Sequence, residues 1–146
     1  MPNTILVPYD GSEPAMRALE FASDLAAKYG AEIVIFHAIH YPVGLPEELH
    51  HFAVSEHLDA PDEIGAVVRK MLESATLLAS KAGAEQVASD SVVGDPAEVI
   101  LAAAKSRDAD LIVMGSRGFG RLEGLLLGSV SDKVLRHADA PVTIVR

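Results

Sequence analysis

The chain of 146 residues contains no cysteine and no tryptophan. Without a thiol it can form no disulfide, no cysteine nucleophile and no cysteine-ligated zinc site, and this composition suits an intracellular setting. Aromatic residues make up only 5% of the chain although 49% is hydrophobic. We therefore expect an ordered core in which alanine-rich helices lie close on a sheet.

Positive charge is also scarce. The chain has 12 lysines and arginines against 21 acidic residues, which gives a formal net charge of −9. An acidic chain repels the phosphate backbone of nucleic acids, so we expect no general DNA or RNA binding. A local basic feature can still bind a nucleotide.

Long apolar runs are absent as well. No run approaches the ~18 residues that a membrane span needs, and residues 1–6 contain no basic region followed by an apolar segment. We expect a single cytoplasmic domain, residues 1–146, with no membrane insertion.

Strand-like and helix-like patterns alternate along the chain. The expected strands are residues 5–7, 33–36, 87–93, 111–114 and 142–145. Five strands with four intervening helices predict an α/β fold. It is a doubly wound five-stranded parallel sheet in the order 3-2-1-4-5, with helices on both faces.

Capping residues indicate where the helices begin and end. Ser12 starts the first helix and Gly30 ends it, while Asp95 starts the third. The second helix runs from Pro61 to Gly83. Its expected buried stripe consists of Ile64, Val67, Met71, Ala75, Leu78 and Ala82.

The segment His40–Asp59 interrupts this rhythm and is expected to be a long loop, with or without a short helix, that covers a ligand as a lid. Its histidines are His40, His50, His51 and His57. They form no i, i+4 pair and have no acidic residue in register, so we expect no metal site from the protein alone.

The loops after the first and fourth strands carry the chemistry expected of a ligand site. In a doubly wound sheet, ligands bind where the strand order reverses. Residues 115–129 form a glycine-rich loop between a strand and a helix start, which is the arrangement of a phosphate cradle. The amides expected to hold phosphate oxygens lie around Gly115, Gly118 and Gly128.

Side chains near these loops add further candidates. Ser129 offers a hydroxyl and an amide to phosphate, and Ser131 is a weaker candidate. Arg117 and Arg121 can counter phosphate charge. Asp10 can accept from ribose hydroxyls or reach a nucleotide-bound Mg²⁺. The expected adenine wall consists of Val7, Ile35 and Ala38.

Two well-known phosphate motifs fail here. The P-loop pattern fails because Gly120 is followed by Arg121 and Leu122. The dinucleotide fingerprint fails as well, and the glycine loop lies in the fourth unit, not the first. What fits is G-x2-G-x9-G-S, formed by Gly115, Gly118, Gly128 and Ser129.

This long motif resembles the ATP-binding branch of the universal stress protein family. The resemblance extends over the chain, from the opening strand and turn, residues 5–12, through residues 37–38 and 94–96 to the closing strand, residues 140–145. It implies that Pro8, Tyr9 and Asp10 border the adenine and ribose and that Ala38 offers its backbone to the adenine edge. It further implies that the ribose and phosphates are surrounded by Met114, Gly115, Gly118, Gly128, Ser129 and Val130.

The resemblance and the closing strand both favour a homodimer. An apolar terminal strand, Val142–Val145, is a liability unless something covers it. We expect two copies to pair these strands across a two-fold axis.

Three functions remain open at this point. The first is an ATP-binding regulatory protein of the stress-response type, with an unknown protein partner and at most slow hydrolysis; ADP or AMP could replace ATP. The second is a nucleotide-free dimeric adaptor of the same fold. The third is an ATP-using enzyme, a pyrophosphatase or nucleotidyl transferase. Such enzymes usually carry a serine- and glycine-rich phosphate loop after the first strand, and residues 10–13 do not form one, which argues against this function.

Overall fold

The computed structural model describes residues 1–40, 62–117 and 127–146. Within these ranges the strands are β1 (Thr4–Pro8), β2 (Glu32–Ile39), β3 (Gln86–Val93), β4 (Leu111–Gly115) and β5 (Val142–Val145). The helices are α1 (Glu13–Tyr29), α2 (Asp62–Lys81), α3 (Pro96–Ser106) and α4 (Ser129–His137). The lid expected over His40–Asp59 lies almost wholly outside the described residues.

The five strands form one parallel sheet in the order β3-β2-β1-β4-β5. This confirms the predicted fold class and strand order. β1 lies at the centre and pairs with β2 on one side and β4 on the other. The chain therefore reverses its winding direction at β1, and the carboxyl ends of β1 and β4 lie next to each other.

The two faces of the sheet are covered by different helix pairs. Helices α1 and α2 pack on one face over a cluster that includes Val7 and Ile35. Helices α3 and α4 pack on the other face over a cluster that includes Leu6, Phe36 and Met114. Successive residues of a strand point to opposite faces, so β1, β2, β4 and β5 contribute to both clusters.

Local capping explains where the first and third helices begin. The Ser12 hydroxyl accepts from the Ala15 amide at 3.3 Å, and Asp95 accepts from the Glu98 amide at 3.2 Å. Gly30 ends α1 in the left-handed conformation with φ of 70°. These caps confirm the helix ends that the sequence predicted.

The buried stripe predicted for α2 is wrong in part. Ala75 is buried as expected, but Val67 is 68% exposed and Leu78 is 46% exposed. The residues that α2 buries are instead Val68, Leu72, Ala75 and Ala79. Apolar residues occupy adjacent positions on this helix, so periodicity alone does not select between two overlapping stripes; packing against the sheet and α1 does.

Gly115 allows α1 to approach the end of β4. A Cβ placed on Gly115 would lie 2.8 Å from the Pro14 carbonyl carbon and 3.0 Å from the Ala15 amide nitrogen. Its backbone does not adopt positive φ. The glycine is therefore required by close backbone contact, which brings the first turn of α1 against the carboxyl end of β4.

Replacing Gly115 by alanine should destabilise the fold by ~1–3 kcal/mol, the usual cost of forcing atoms into a packed interior. Gly128→Ala is the matched control, because a Cβ there meets nothing closer than 3.4 Å. Urea unfolding of both variants measures the difference. Equal stabilities for the two variants would contradict this role of Gly115.

Asp110 ties the beginning of β1 to the beginning of β4. Its carboxylate accepts from the Asn3 amide at 2.8 Å and from the Thr4 amide at 2.9 Å. These backbone hydrogen bonds, that of Thr4 first, lower the pKa of Asp110. Since the folded state has the lower pKa, the carboxylate stabilises the fold above its unfolded pKa, and this stabilisation is lost as pH falls through the folded value.

Asp110→Asn should therefore flatten the acid side of the stability profile. We expect the variant to be less stable than the wild type at neutral pH and the two to converge as pH falls through the folded pKa of Asp110. Urea unfolding between neutral pH and about pH 3 tests this, with Glu20→Gln on the exposed side of α1 as the control for one lost charge. A difference in unfolding free energy between wild type and Asp110→Asn that stays constant at all pH values would contradict this role of Asp110.

Candidate functional site

A cavity of about 600 Å³ opens where the carboxyl ends of β1, β2 and β4 meet. Ten of the eleven residues predicted for the site line it: Pro8, Tyr9, Asp10, Ala38, Met114, Gly115, Arg117, Gly128, Ser129 and Val130. The eleventh, Gly118, lies outside the described residues, as does Arg121. The structure thus brings the first turn, the end of β2 and both ends of the glycine loop around one space.

The turn that carries Asp10 is held from two sides. One carboxylate oxygen of Asp10 accepts from the Ser12 amide at 2.9 Å, and the other has no partner among the described residues and can contact a ligand. The Tyr9 amide donates to the Phe36 carbonyl at 2.8 Å. The Tyr9 carbonyl in turn accepts from Nδ1 of His37 at 2.8 Å. A carbonyl can only accept, so this nitrogen of His37 is assigned the proton.

Tyr9 contributes to the cavity but its ring packs elsewhere. The side chain is 6% exposed and belongs to the hydrophobic cluster under α1 and α2. Burial, and then the nearby charge of Asp10, raises the pKa of the Tyr9 phenol. The phenol therefore stays neutral at physiological pH, and its bulk lies largely on the other face of the sheet.

The two described ends of the glycine loop meet at the Ser116 carbonyl. This oxygen accepts from the Gly128 amide at 2.6 Å and from the Ser131 hydroxyl at 2.8 Å. Two expectations are corrected by this contact. The Gly128 amide and the Ser131 hydroxyl are engaged inside the protein and are not the phosphate donors that the spacing suggested, although Gly128 and Ser131 both line the cavity.

The first turn of α4 offers backbone amides that can donate to a ligand in the cavity. Its N-cap, Gly128, has no side chain to accept from the first turn, and the helical ladder begins with the Asp132 amide donating to the Gly128 carbonyl at 2.9 Å. The amides of Ser129, Val130 and Ser131 precede that bond and have no partner within the ladder. All three residues line the cavity, so the positive end of the helix dipole lies at its edge.

The remaining wall of the cavity is mostly apolar. Sequence reasoning missed Phe36, Pro96 and Ile100, which line it from β2 and from the start of α3. The helix-start signal Asp95-Pro96, which comes directly after the third strand, could have indicated that α3 begins beside the cavity. Of the three residues predicted for the adenine wall, Ala38 lines the cavity. Val7 and Ile35 do not, because they are fully buried on the opposite face of the sheet.

The described residues form no metal site by themselves. They contain no group of three or more acidic or histidine side chains arranged to hold an ion. Asp10 is the single carboxylate among the described residues of the cavity. His40 lines the cavity as well. One carboxylate suits a Mg²⁺ ion whose other ligands are nucleotide phosphates and water. The other three histidines of the segment, His50, His51 and His57, lie outside the described residues.

Comparison with known proteins agrees with this geometry. The model of the universal stress protein family matches residues 1–146. The chain belongs to the universal stress protein family. A universal stress protein of Thermus aquaticus is 38% identical over 98% of this chain and 98% of its own length. A second one, YxiE of Bacillus subtilis, is 38% identical over 99% of both chains.

Solved structures of universal stress proteins share the fold. UspA of Lactobacillus plantarum superposes with a TM-score of 0.82 at 25% identity, over 99% of this chain and 97% of that one. A universal stress protein in complex with cAMP has a TM-score of 0.74 at 29% identity, over 99% and 97%. One from Archaeoglobus fulgidus in complex with dAMP has a TM-score of 0.67 at 25% identity, over 100% and 98%.

Among the helices in the described ranges, none is long and apolar enough to cross a membrane. The cytoplasmic location expected from the sequence stays a prediction.

Proposed function

We propose that the cavity binds an adenine nucleotide, with ATP as the leading ligand, and that the protein is a nucleotide-dependent regulator of the stress-response type. The observation that carries this proposal is that one cavity joins an apolar wall to the open first turn of α4 and to the carboxylate of Asp10. An aromatic base, a ribose and a phosphate chain need these three environments in that combination.

The charge distribution supports the phosphate end. The whole chain carries a net charge of −9, which would repel a polyanion. At the cavity, however, Arg117 and the amino end of α4 lie together. Unpaired helical amides and the helix dipole favour anions, so a phosphate group has a local site in an acidic protein.

The opposite end supports the base and ribose. Phe36, Ala38 and Ile100 offer apolar contact, and the second carboxylate oxygen of Asp10 can accept from ribose hydroxyls. The cAMP and dAMP complexes of structurally similar universal stress proteins are consistent with an adenine nucleotide here. Nucleotide occupancy would then change the surface that the protein presents to a partner around this cavity.

Catalysis is expected to be slow at most. Asp10 and His37 are the two side chains best suited to act as a base, but within the described residues neither bonds a hydroxyl side chain that it could activate as a nucleophile. A Mg²⁺ ion carried by the phosphates would add charge neutralisation. Within the described residues, Asp10 is the one carboxylate that lines the cavity and could contact it.

Gly128→Ala should weaken ATP binding with little loss of stability. The added methyl would lie 3.4 Å from the Arg117 Cα and 3.5 Å from the Ser131 hydroxyl, where it crowds the amino end of α4. We expect this crowding to cost ~1–3 kcal/mol of phosphate binding, roughly 5- to 150-fold in Kd. The helix start itself should lose less than about 1 kcal/mol. Isothermal titration calorimetry with ATP and urea unfolding measure the two effects.

Gly30→Ala is the matched control. Gly30 has φ of 70° at the end of α1, and a Cβ there meets nothing within 4 Å. The variant should lose about 1–2 kcal/mol of stability from backbone strain and bind ATP as the wild type does. Wild-type protein that shows neither binding heat nor thermal stabilisation with ATP would refute the proposal and favour the nucleotide-free adaptor.

We also propose that the protein forms a homodimer through β5. The four residues of this edge strand are all partly exposed. The carbonyls of Pro141 and Val145 face β4, where they accept from the Ile112 and Ser116 amides. Backbone groups alternate in direction along a strand, so those of Val142 and Ile144 face away from the sheet and can pair with a second copy.

Ile144→Pro should abolish the dimer. Proline removes the outward amide of residue 144 but leaves the ladder to β4 intact, as is tolerated on an edge strand. Sedimentation velocity at micromolar concentration should show a dimer for the wild type and a monomer for the variant.

Ile144→Ala separates the loss of the side chain from the loss of the backbone amide, both of which Ile144→Pro causes. It removes the same partly buried side chain and keeps the outward amide, so it should remain dimeric. A monomeric wild type, or a dimeric Ile144→Pro variant, would rule out pairing through this edge.

A further inference from the structure

We propose that Ser131 is a positioning residue for the nucleotide phosphates: its hydroxyl holds the Ser116 carbonyl and so places the first-turn amides of α4. This inference rests on the proposed function and assigns to Ser131 a role different from direct phosphate binding. The Ser116 carbonyl, the Gly128 amide and the Ser131 hydroxyl are called the clasp below.

Ser131 is built into the interior. The residue is 2% exposed, and Ser116 is 6% exposed. The Ser131 hydroxyl donates to the Ser116 carbonyl at 2.8 Å, with the Gly128 carbonyl as a longer neighbour at 3.3 Å. A hydroxyl has one proton to donate. Because that proton is directed at carbonyl oxygens, the same hydroxyl does not donate to a phosphate.

The clasp connects the sheet to the helix. The Ser116 amide donates to the Val145 carbonyl at 2.8 Å, which extends the pairing of β4 with β5 by one residue. The Ser116 carbonyl then accepts from the Gly128 amide and the Ser131 hydroxyl. The amino end of α4 is thereby fixed to the carboxyl end of β4, next to the cavity.

Placing these amides in advance affects phosphate affinity. A site whose donors are already in position loses less conformational freedom when the ligand binds. If the Ser131 hydroxyl were removed, the Ser116 carbonyl would keep only the Gly128 amide of its two donors. The amino end of α4 would then be held less firmly to β4.

Ser131→Ala is therefore expected to weaken binding of ATP, ADP and AMP by about fivefold, the effect of one net hydrogen bond. It should change adenosine binding less than about twofold, because adenosine has no phosphate to place. Ser131→Thr keeps the hydroxyl and should restore nucleotide affinity. Isothermal titration calorimetry with each of the four ligands measures the ratio of nucleotide affinity to adenosine affinity.

Ser23→Ala is the matched control for stability. Ser23 is fully buried in α1 and donates its hydroxyl to the Leu19 carbonyl at 2.7 Å. Both substitutions delete a buried hydroxyl bonded to a backbone carbonyl, but Ser23 does not line the cavity. The control should lose stability comparably and keep the wild-type ratio of ATP to adenosine affinity.

The outcomes distinguish this inference from the proposed function. Wild-type protein that binds none of the four ligands overturns both. Wild-type protein that binds them while Ser131→Ala keeps the same ATP-to-adenosine ratio overturns the positioning role alone. An equal loss for adenosine, or the same change in Ser23→Ala, also overturns it, because each would mean a general loss of stability.

Discussion

The hydrogen bond from the Gly128 amide to the Ser116 carbonyl, 2.6 Å long, is the constraint on which the site depends. It brings the chain that leaves β4 back beside β4 before α4 begins. With the Ser131 hydroxyl on the same carbonyl, it fixes a helix start whose first amides have no partner in the ladder. The cavity therefore has a donor-rich end before any ligand arrives.

The other parts of the site are positioned by the sheet. Parallel pairing of β1 with β2 and β4 brings the ends of three strands to one edge. Close contact of Gly115 with the first turn of α1 brings α1 against this edge. The turn that carries Asp10 is held by β2, through the Phe36 carbonyl, which accepts from the Tyr9 amide, and the His37 ring, which donates to the Tyr9 carbonyl. An acidic protein thus presents one local environment suited to an anion beside an apolar wall.

Much of this arrangement could be predicted from the sequence. Strand order, the caps at Ser12 and Asp95, and the convergence of Asp10 with the glycine loop follow from patterns along the chain and from the rule for ligand crevices. What failed was the choice of face. Val7 and Ile35 were expected in the cavity but point to the opposite side, and α2 buries Val68 where Val67 was expected. An apolar run buried on both faces carries no mark of which side holds the ligand.

The roles of individual polar groups were equally hidden. Nothing in the spacing of Gly128 and Ser131 indicates that their donors point at Ser116, because that contact depends on how α4 packs beside the end of β4.

Amide NMR of the protein with added ATP tests most directly whether the open turn of α4 holds phosphate. We expect the amide resonances of Ser129, Val130 and Ser131 to shift, together with that of Ala38 at the end of β2. Shifts absent from these residues, or confined to the face covered by α1 and α2, would contradict a nucleotide site in this cavity.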